Sequence, residues 1–242
     1  MSRFFGILGG LGPQATINFM QTLIERTVAN KDQDHMNYIA FQHATIPDRT
    51  AFILKKTEAN PFPYLKEDAK KLENMKVDFI VMPCNTAHYF YNQLQNEISV
   101  PIINMIDETI IYIKKNYSHI KKIGVLATEG TIRSHLYNDV IEKNGMTVIP
   151  TPIEIQQTTN ILIYDQIKKK RAINQDLYLK IINQMISLGC ELIILGCTEL
   201  SVINSDVGSL SISLPIVDAQ QVLVEKTIRL CRKNVVEQIK VV

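Results

Sequence analysis

The chain has 242 residues, of which 46% are hydrophobic and 21% charged, and its formal net charge is +2. This length accommodates one large domain or two small ones, with enough residues for a sizeable core. Because the basic residues are spread along the chain, neither nucleic acid nor a membrane is expected as its partner. No apolar run approaches the roughly 20 residues of a membrane span, and the short apolar N-terminal run does not resemble a secretory signal.

The four cysteines show no C-x-x-C spacing, so they predict neither a disulfide scaffold nor a zinc site. Free thiols persist in a reducing compartment, and we therefore expect a cytoplasmic protein. We expect no metal site.

Strand-like apolar runs alternate with segments of helical periodicity, a pattern typical of an α/β protein with parallel sheets. In chain order, the first half predicts strands at 4–8, 37–43, 78–82 and 101–105, with helices at 13–30, 63–75 and 108–116. The second half predicts strands at 122–127, 147–149, 191–195 and 214–217, with helices at 132–144 and 175–188.

The second half repeats landmarks of the first in the same order and at nearly the same spacing. The matched pairs are Gly6 with Gly124, Cys84 with Cys197, Pro101 with Pro215, and Asp107 with Asp218. An ordered set of matches favours two pseudo-symmetric α/β domains, each a parallel sheet flanked by helices. We place the first domain at residues 1–106 plus 218–242 and the second at 107–217, with the active site in the cleft between them.

Two cysteines, Cys84 and Cys197, each end a short apolar run and precede polar residues. In open parallel sheets ligands bind beyond the carboxyl ends of the strands, so facing halves would direct both thiols into one cleft. A thiolate on one side of an amino acid can remove the α-proton while a thiol opposite returns one. Because the ordinary pKa of cysteine is about 8.5, helix N-termini after the thiols would help to form the thiolate. Cys190 and Cys231 lack this setting and are predicted to pack in the core.

Polar residues directly after the two thiols are candidates for holding a substrate carboxylate. Asn85 and Thr86 follow the first thiol and Thr198 follows the second. Their side chains and backbone N–H groups can bind an anion at a helix N-terminus. Ordinary N-capping explains the same residues without a ligand.

Three further features are candidates for the site. The turn around Gly10 is an incomplete dinucleotide fingerprint interrupted by Pro13, and it fits a small-anion pocket better than a nucleotide site. Arg49 lies in a proline-turned loop and is suited to bidentate carboxylate binding, although an ion pair with Asp48 is the simpler interpretation. His88 either faces Cys84 across one helical turn or serves as a capping or packing residue.

The runs 9–16, 83–88 and 196–200 resemble the aspartate/glutamate racemase family, and within it the aspartate racemase type. The resemblance covers almost the whole chain and implies a cofactor-independent amino-acid racemase with Cys84 and Cys197 as its acid/base thiols. Glutamate racemases proper have an acidic residue and a serine before their glycines and a histidine after the second Cys-Thr. Where those enzymes have the acidic residue and the serine, this chain has Leu8 and Gly9. Where they have the histidine, this chain has Glu199.

The resemblance also implies roles for the binding residues. Arg49 and Lys168 match the basic residues that meet substrate carboxylates, and Thr131 matches the ligand-facing turn of the second domain. The family often has a glycine two positions after that lysine, where this chain has Lys170. The residues that match the family's α-carboxylate site are Asn85, Thr86 and Thr198.

The leading hypothesis is interconversion of L- and D-aspartate, or of glutamate, without pyridoxal phosphate or metal. Related reactions on the same fold, such as maleate isomerisation or racemisation of a hydantoin-like ring, are alternatives. A non-catalytic amino-acid-binding protein is an alternative from a different class. The expected partner is a dicarboxylic amino acid, and the family's habit predicts a homodimer.

Overall fold

The computed structural model describes residues 3–207 and 214–236, with side chains described up to 204 in the first range. Residues 237–242, which end the predicted first domain, lie outside the described residues. The described residues form two four-stranded parallel sheets flanked by helices. The strands are β1 (Phe4–Gly9), β2 (Asn37–Gln42), β3 (Phe79–Val81), β4 (Ile102–Ile103), β5 (Lys122–Ala127), β6 (Thr147–Ile149), β7 (Leu192–Gly196) and β8 (Ile216–Asp218).

The helices of the described residues lie between and after these strands. They are α1 (Pro13–Arg26), α2 (Arg49–Ile53), α3 (Phe62–Asn74), α4 (Tyr91–Gln95), α5 (Met105–Asn116), α6 (Glu129–Arg133), α7 (Asn138–Lys143), α8 (Ile153–Asn160), α9 (Gln175–Ser187), α10 (Thr198–Val207) and α11 (Ala219–Leu230). A 3-10 helix spans Thr86–Phe90 and a π-helical segment spans Ile161–Ile167. No helix of the described ranges has the length and apolar character needed to cross a membrane.

The two sheets have the same strand order. The first is arranged β2-β1-β3-β4 and the second β6-β5-β7-β8. Every neighbouring pair is parallel, so the carboxyl ends of β3 and β7 occupy equivalent places in their sheets. The predicted fold class and repeat of strands are therefore confirmed.

Equivalent glycines let a helix approach each sheet closely. A Cβ atom on Gly6 in β1 would lie 2.8 Å from a methyl carbon of Leu72 in α3. A Cβ atom on Gly124 in β5 would lie 2.6 Å from Cε of Met185 and 2.7 Å from Sγ of Cys190. These distances are shorter than packed side chains allow, so a Cβ at either place would force the neighbouring side chains to shift. Cys190 is thus a packing residue, as predicted.

The repeat differs from the prediction at one landmark. The residue equivalent to Asp218 is Asn104. The predicted pairing of Asp218 with Asp107 was therefore wrong. Asn104 Oδ1 accepts hydrogen bonds from the N–H groups of Ile106 at 3.0 Å and Asp107 at 3.4 Å. Asp218 is likewise the N-cap of α11. Asn and Asp cap helices equally well, so the position is shared although the residue is not.

The predicted helix at 132–144 is two short helices, α6 and α7. His135, between them, has a φ of 55°, which lies in the left-handed region that an α-helix interior does not tolerate. The predicted helix at 13–30 ends early, because Thr27 is extended and pairs with Val235. The predicted helix at 108–116 begins at Met105, after the Asn104 cap. Most other predicted ends lie within two residues of those observed.

The last helix joins the two halves of the chain. α11 packs against both α1 and α5, and Arg26 of α1 donates to the Glu225 carboxylate of α11 at 2.8 Å. One apolar cluster contains Phe5 from β1, Ile123 from β5 and Leu223 from α11. The core thus runs between the sheets, and the exact domain boundaries stay a prediction.

Candidate active site

Residues that follow β3 and β7 line one small cavity of about 10 Å³, here called the inner cavity. Such a volume holds about one water molecule. Cys84, Asn85 and Thr86 come from the first half, and Cys197, Thr198 and Glu199 from the second. Arg49, Thr128 and Lys168 lie in the same wall. The structure therefore brings together most of the site residues predicted from the sequence.

The strand ends deliver both thiols to buried positions. Cys84 is 6% exposed and follows a tight turn in which its N–H donates to Met82 O at 2.7 Å. Cys197 is 4% exposed and directly follows β7. A 3-10 helix begins after the first thiol and α10 after the second, so helical N–H groups point towards this region.

Burial raises the pKa of both thiols, but the charged neighbours differ. At Cys84 the Arg49 guanidinium and the N–H of Ala87 oppose the increase in pKa. At Cys197 burial and the adjacent Glu199 carboxylate raise the pKa well above its ordinary value, and Lys168 opposes them. Cys197 Sγ donates to Glu199 Oε2 at 3.0 Å. The two thiols are therefore electrostatically unlike.

Arg49 is buried at the start of α2, with its guanidinium held by backbone carbonyls. Nη1 donates to Ile46 O at 3.2 Å and Pro47 O at 3.1 Å, and Nη2 donates to Leu11 O at 2.7 Å. Its Nε is buried without a hydrogen-bond partner. Asp48 caps α2 by accepting from the Ala51 N–H, and no ion pair of Asp48 with Arg49 is present in the described residues. The simple ion-pair interpretation is therefore not supported.

The Asn85 side chain is held in place from the other half of the chain. Tyr137, at the start of α7, donates its hydroxyl to Asn85 Oδ1 at 2.6 Å, and both residues are buried. The Asn85 Nδ2 amide is buried without a hydrogen-bond partner. An unpaired buried donor beside a cavity is costly unless a ligand accepts its hydrogen bonds.

Three buried threonine hydroxyls form a triangle that joins the two halves. Thr86 Oγ1 lies 2.9 Å from Thr128 Oγ1 and 3.0 Å from Thr131 Oγ1, and the last two are 3.1 Å apart. Thr131 thus contacts Thr86 and does not line the inner cavity. Gly130 beside it lets α6 meet α2, because a Cβ there would lie 2.8 Å from Thr50 Oγ1.

Lys168 follows the π-helical segment and its side chain lies in the inner cavity wall. Its Nζ is 3.6 Å from Glu199 Oε1 and 4.7 Å from the centre of the Tyr164 ring. Burial opposes its charge, but Glu199 and the thiols outweigh burial and raise the pKa of Lys168. Lys170 has a φ of 52°, a left-handed conformation that glycine adopts more readily than lysine.

A second, open cavity of about 560 Å³, here called the outer cavity, lies beside the inner one. Gly10 lines the outer cavity, and Arg49, Lys168 and Glu199 line both cavities. Gly10 has a φ of 87°, and a Cβ there would clash with the His43 backbone. The tight turn is therefore a requirement of packing, and it borders the outer approach to the thiols.

His88 serves a packing role and does not contact the Cys84 thiol. Its Nε2 accepts from the Met105 N–H at 3.0 Å, which places the ring proton on Nδ1, 2.9 Å from Cys84 O. Burial lowers the pKa of His88 to about 4, so the ring is neutral. The interpretation as a packing residue is the one that the structure supports.

Glu199, Tyr137 and Thr128 are among the residues near the site that were not predicted as site residues. Glu199 could have been predicted from the sequence, because it follows Cys197 by only two residues. Thr128 lies in the turn after β5, the edge of the sheet where ligands bind. Tyr137 had no signal, since it lies far from Asn85 in the sequence. Within the described residues, no three His, Cys, Asp or Glu side chains are grouped as metal ligands.

Two similar parallel sheets with a cysteine at the end of each third strand define an α/β protein of two repeated halves. The sequence profile of the Asp/Glu/Hydantoin racemase family matches residues 8–227. The chain belongs to this family.

Individual relatives agree with this assignment. The chain is 33% identical over 235 residues to the broad specificity amino-acid racemase RacX of Bacillus subtilis, which covers 92% of this chain and 96% of that protein. It is 30% identical over 163 residues to the glutamate racemase of Aquifex pyrophilus, covering 66% of this chain and 61% of the relative. The solved structure of Picrophilus torridus aspartate racemase superimposes with a TM-score of 0.79 at 27% identity, covering 97% of this chain and 96% of that one.

Proposed function

We propose that this protein is a cofactor-independent amino-acid racemase that interconverts the L and D enantiomers of aspartate, and of glutamate as a second substrate. The observation that carries the proposal is the pair of buried thiols, Cys84 and Cys197, which follow equivalent strands of two sheets and line one cavity. One thiolate takes the α-proton from one face of the substrate, and the opposite thiol returns a proton to the other face.

The unpaired donors of the cavity support binding of two carboxylates. Asn85 Nδ2 and Arg49 Nε are both buried without a partner. We assign the Asn85 amide and the neighbouring hydroxyls of Thr86 and Thr198 to the α-carboxylate. We assign Arg49 to the side-chain carboxylate, because its remaining N–H groups offer a charge-assisted contact.

The substrate also supplies charge to the thiols. Burial raises the pKa of both thiols in the closed cavity, which disfavours the thiolate. An α-ammonium group brought beside them favours the thiolate through its positive charge. The carboxylates of Asp48 and Glu199 line the same cavity and complement that ammonium.

Access requires the cavity to open. A volume of about 10 Å³ does not admit an amino acid. The threonine triangle and the bond from Tyr137 to Asn85 both cross between the halves, so separating the halves would break them together. We propose that the substrate arrives through the outer cavity and that closure then excludes water from the thiols.

A wider substrate range is a second candidate. Lys168 is already paired with Glu199, which leaves Arg49 as the cation of the cavity wall without a carboxylate partner among the described residues. The site then selects less strongly for a substrate with a negatively charged side chain than a site with two unpaired cations would. The 33% identity to a broad specificity amino-acid racemase favours the same candidate.

A substrate panel tests the proposal. Purified, reduced protein is incubated with single enantiomers of aspartate, glutamate, alanine and lysine, and chiral chromatography follows the opposite enantiomer. The proposal expects conversion of aspartate in both directions, with glutamate slower. Conversion of all four amino acids at similar rates supports the second candidate. No conversion of any of them contradicts both.

We also propose a cytoplasmic homodimer. Ile17 and Ile24, two helical turns apart on one side of α1, are 46% and 53% exposed, which suits an apolar contact between subunits. Light scattering on the purified protein tests this, and the mass of a single chain would contradict it.

A further inference from the structure

Glu199 holds a buried carboxylate against one of the two thiols. Its side chain is 8% exposed and lies in the first turn of α10. Oε2 accepts from Cys197 Sγ at 3.0 Å and from Thr198 Oγ1 at 3.4 Å, while Oε1 lies 3.6 Å from Lys168 Nζ. A thiolate and a carboxylate at this separation would repel each other, so the pair keeps one proton, and that proton stays on sulfur because a thiol is a weaker acid than a carboxylic acid.

Cys84 has the opposite surroundings. Within the described residues no side-chain carboxylate accepts a hydrogen bond from its thiol. The Arg49 guanidinium and the N–H of Ala87 are the neighbours that favour a negative sulfur. Glu199 and Lys168 also affect the pKa of Cys84, but each has a smaller effect than Arg49.

We propose that Glu199 is a positioning residue that holds Cys197 as the neutral thiol, so that Cys84 is the thiol that ionises, losing its proton to solvent, when the substrate ammonium arrives. This inference rests on the proposed function. Cys84 then removes the α-proton from the enantiomer whose hydrogen faces it, and Cys197 gives its own proton to the opposite face. The step ends with Cys84 as a thiol and Cys197 as a thiolate, so the proton count of the enzyme is unchanged.

The remaining groups around the thiols do not reverse this assignment. Lys168 is the cation beside Cys197, and it is already engaged by Glu199. Tyr137 and Tyr164 also face Cys197, and burial raises the pKa of both, that of Tyr164 to about 12, so both are neutral. The other two cysteines have a pKa of about 11 because of burial, and they titrate above the range of interest.

Site-resolved alkylation tests the proposal. The full-length reduced protein is treated with iodoacetamide from pH 6 to pH 10, and mass spectrometry gives the alkylation rate of each cysteine separately. In the wild type we expect Cys84 to react at lower pH than Cys197. Glu199→Gln keeps an acceptor for the thiol but removes the charge, so the rate at Cys197 near neutral pH should rise at least about tenfold, with less change at Cys84.

Two further variants separate charge from fold. Lys168→Met removes the opposing cation and should slow alkylation of Cys197 relative to the wild type. Glu154→Gln removes an exposed glutamate of α8 and should leave both rates unchanged. A Cys197 profile that Glu199→Gln leaves unmoved would overturn the proposal.

The result is independent of turnover. If the wild type racemises no amino acid but the Cys197 profile moves as expected, the proposed function fails and the thiol assignment stands. If the wild type racemises aspartate and the profile does not move, the function stands and the role of Glu199 fails.

Discussion

Replacing Tyr137 with phenylalanine removes one hydroxyl and no packing volume of consequence. That hydroxyl donates to Asn85 Oδ1 at 2.6 Å in a buried environment, and it fixes which face of the amide meets the inner cavity. Leaving a buried acceptor unpaired costs about 1–3 kcal/mol. If about 1.4 kcal/mol of this is lost from substrate binding, KM for aspartate rises about tenfold. The proton-transfer groups are untouched, so kcat should change much less.

The chain offers a matched control. Tyr178 is also fully buried, and its hydroxyl donates to Asn204 Oδ1 at 3.0 Å, away from the inner cavity lining. Tyr178→Phe and Tyr137→Phe should both lower the melting temperature by a few degrees, since about 1 kcal/mol corresponds to about 2–4 °C at this size. Initial rates over a range of aspartate concentrations give KM and kcat for each variant. An unchanged KM in Tyr137→Phe, or an equal rise in Tyr178→Phe, would refute the reasoning.

Three further substitutions follow from the structure. Lys170→Gly relieves a left-handed backbone and should raise the free energy of unfolding by up to about 1 kcal/mol, measured by urea denaturation. Gly130→Ala places a Cβ 2.8 Å from Thr50 Oγ1, so it should separate α6 from α2, cost about 1–3 kcal/mol and reduce kcat. Burial raises the pKa of Asp218 to about 6. Its contribution to the free energy of unfolding is therefore greatest below pH about 4 and is lost as the pH rises through about 6, a change of up to about 3 kcal/mol. Asp218→Asn should remove this pH dependence of the urea midpoint.

Each of these has its own contrary outcome. Lys169 lacks a left-handed backbone, so Lys169→Gly should not stabilise the chain, and equal effects at both lysines would contradict the strain argument. A Cβ on Gly145 meets nothing within 4 Å, so Gly145→Ala should cost stability through its φ of 73° while kcat is kept. If the urea midpoint of Asp218→Asn falls between pH 4 and 7 as strongly as that of the wild type, another group is responsible for the pH dependence.

The sequence was sufficient for the parts of the fold that depend on local pattern. Strand ends with a cysteine could be located because apolar runs of strand length stop there, and the repeat placed Cys84 and Cys197 in equivalent positions. The break between α6 and α7 could not be predicted, because the sequence there is compatible with a continuous helix. The left-handed backbone of His135 cannot be inferred from the residue type. Asn104 could not be paired with Asp218 from residue type, because a helix N-cap accepts either Asn or Asp.

The site was predictable from local pattern where its residues adjoin the thiols, whereas Arg49 and Lys168 were predicted mainly through the resemblance to the racemase family. Asn85, Thr86 and Thr198 follow the cysteines directly and line the inner cavity. Tyr137 reaches Asn85 only because the halves pack together, and no spacing in the sequence records that contact. Glu199 was noted as a departure from glutamate racemases, but its bond to Cys197 needs the geometry of the first turn of α10.

The most direct test of the two-thiol account is the position of solvent deuterium early in the reaction. L-Aspartate is incubated with wild-type protein in heavy water, and both enantiomers are recovered after a small fraction has reacted. The account predicts deuterium at Cα of the D-aspartate formed and none in the remaining L-aspartate, because separate thiols serve the two faces. Cys84→Ala and Cys197→Ala should each abolish formation of D-aspartate. D-Aspartate that retains the original α-proton, or wild-type turnover in either variant, would contradict it.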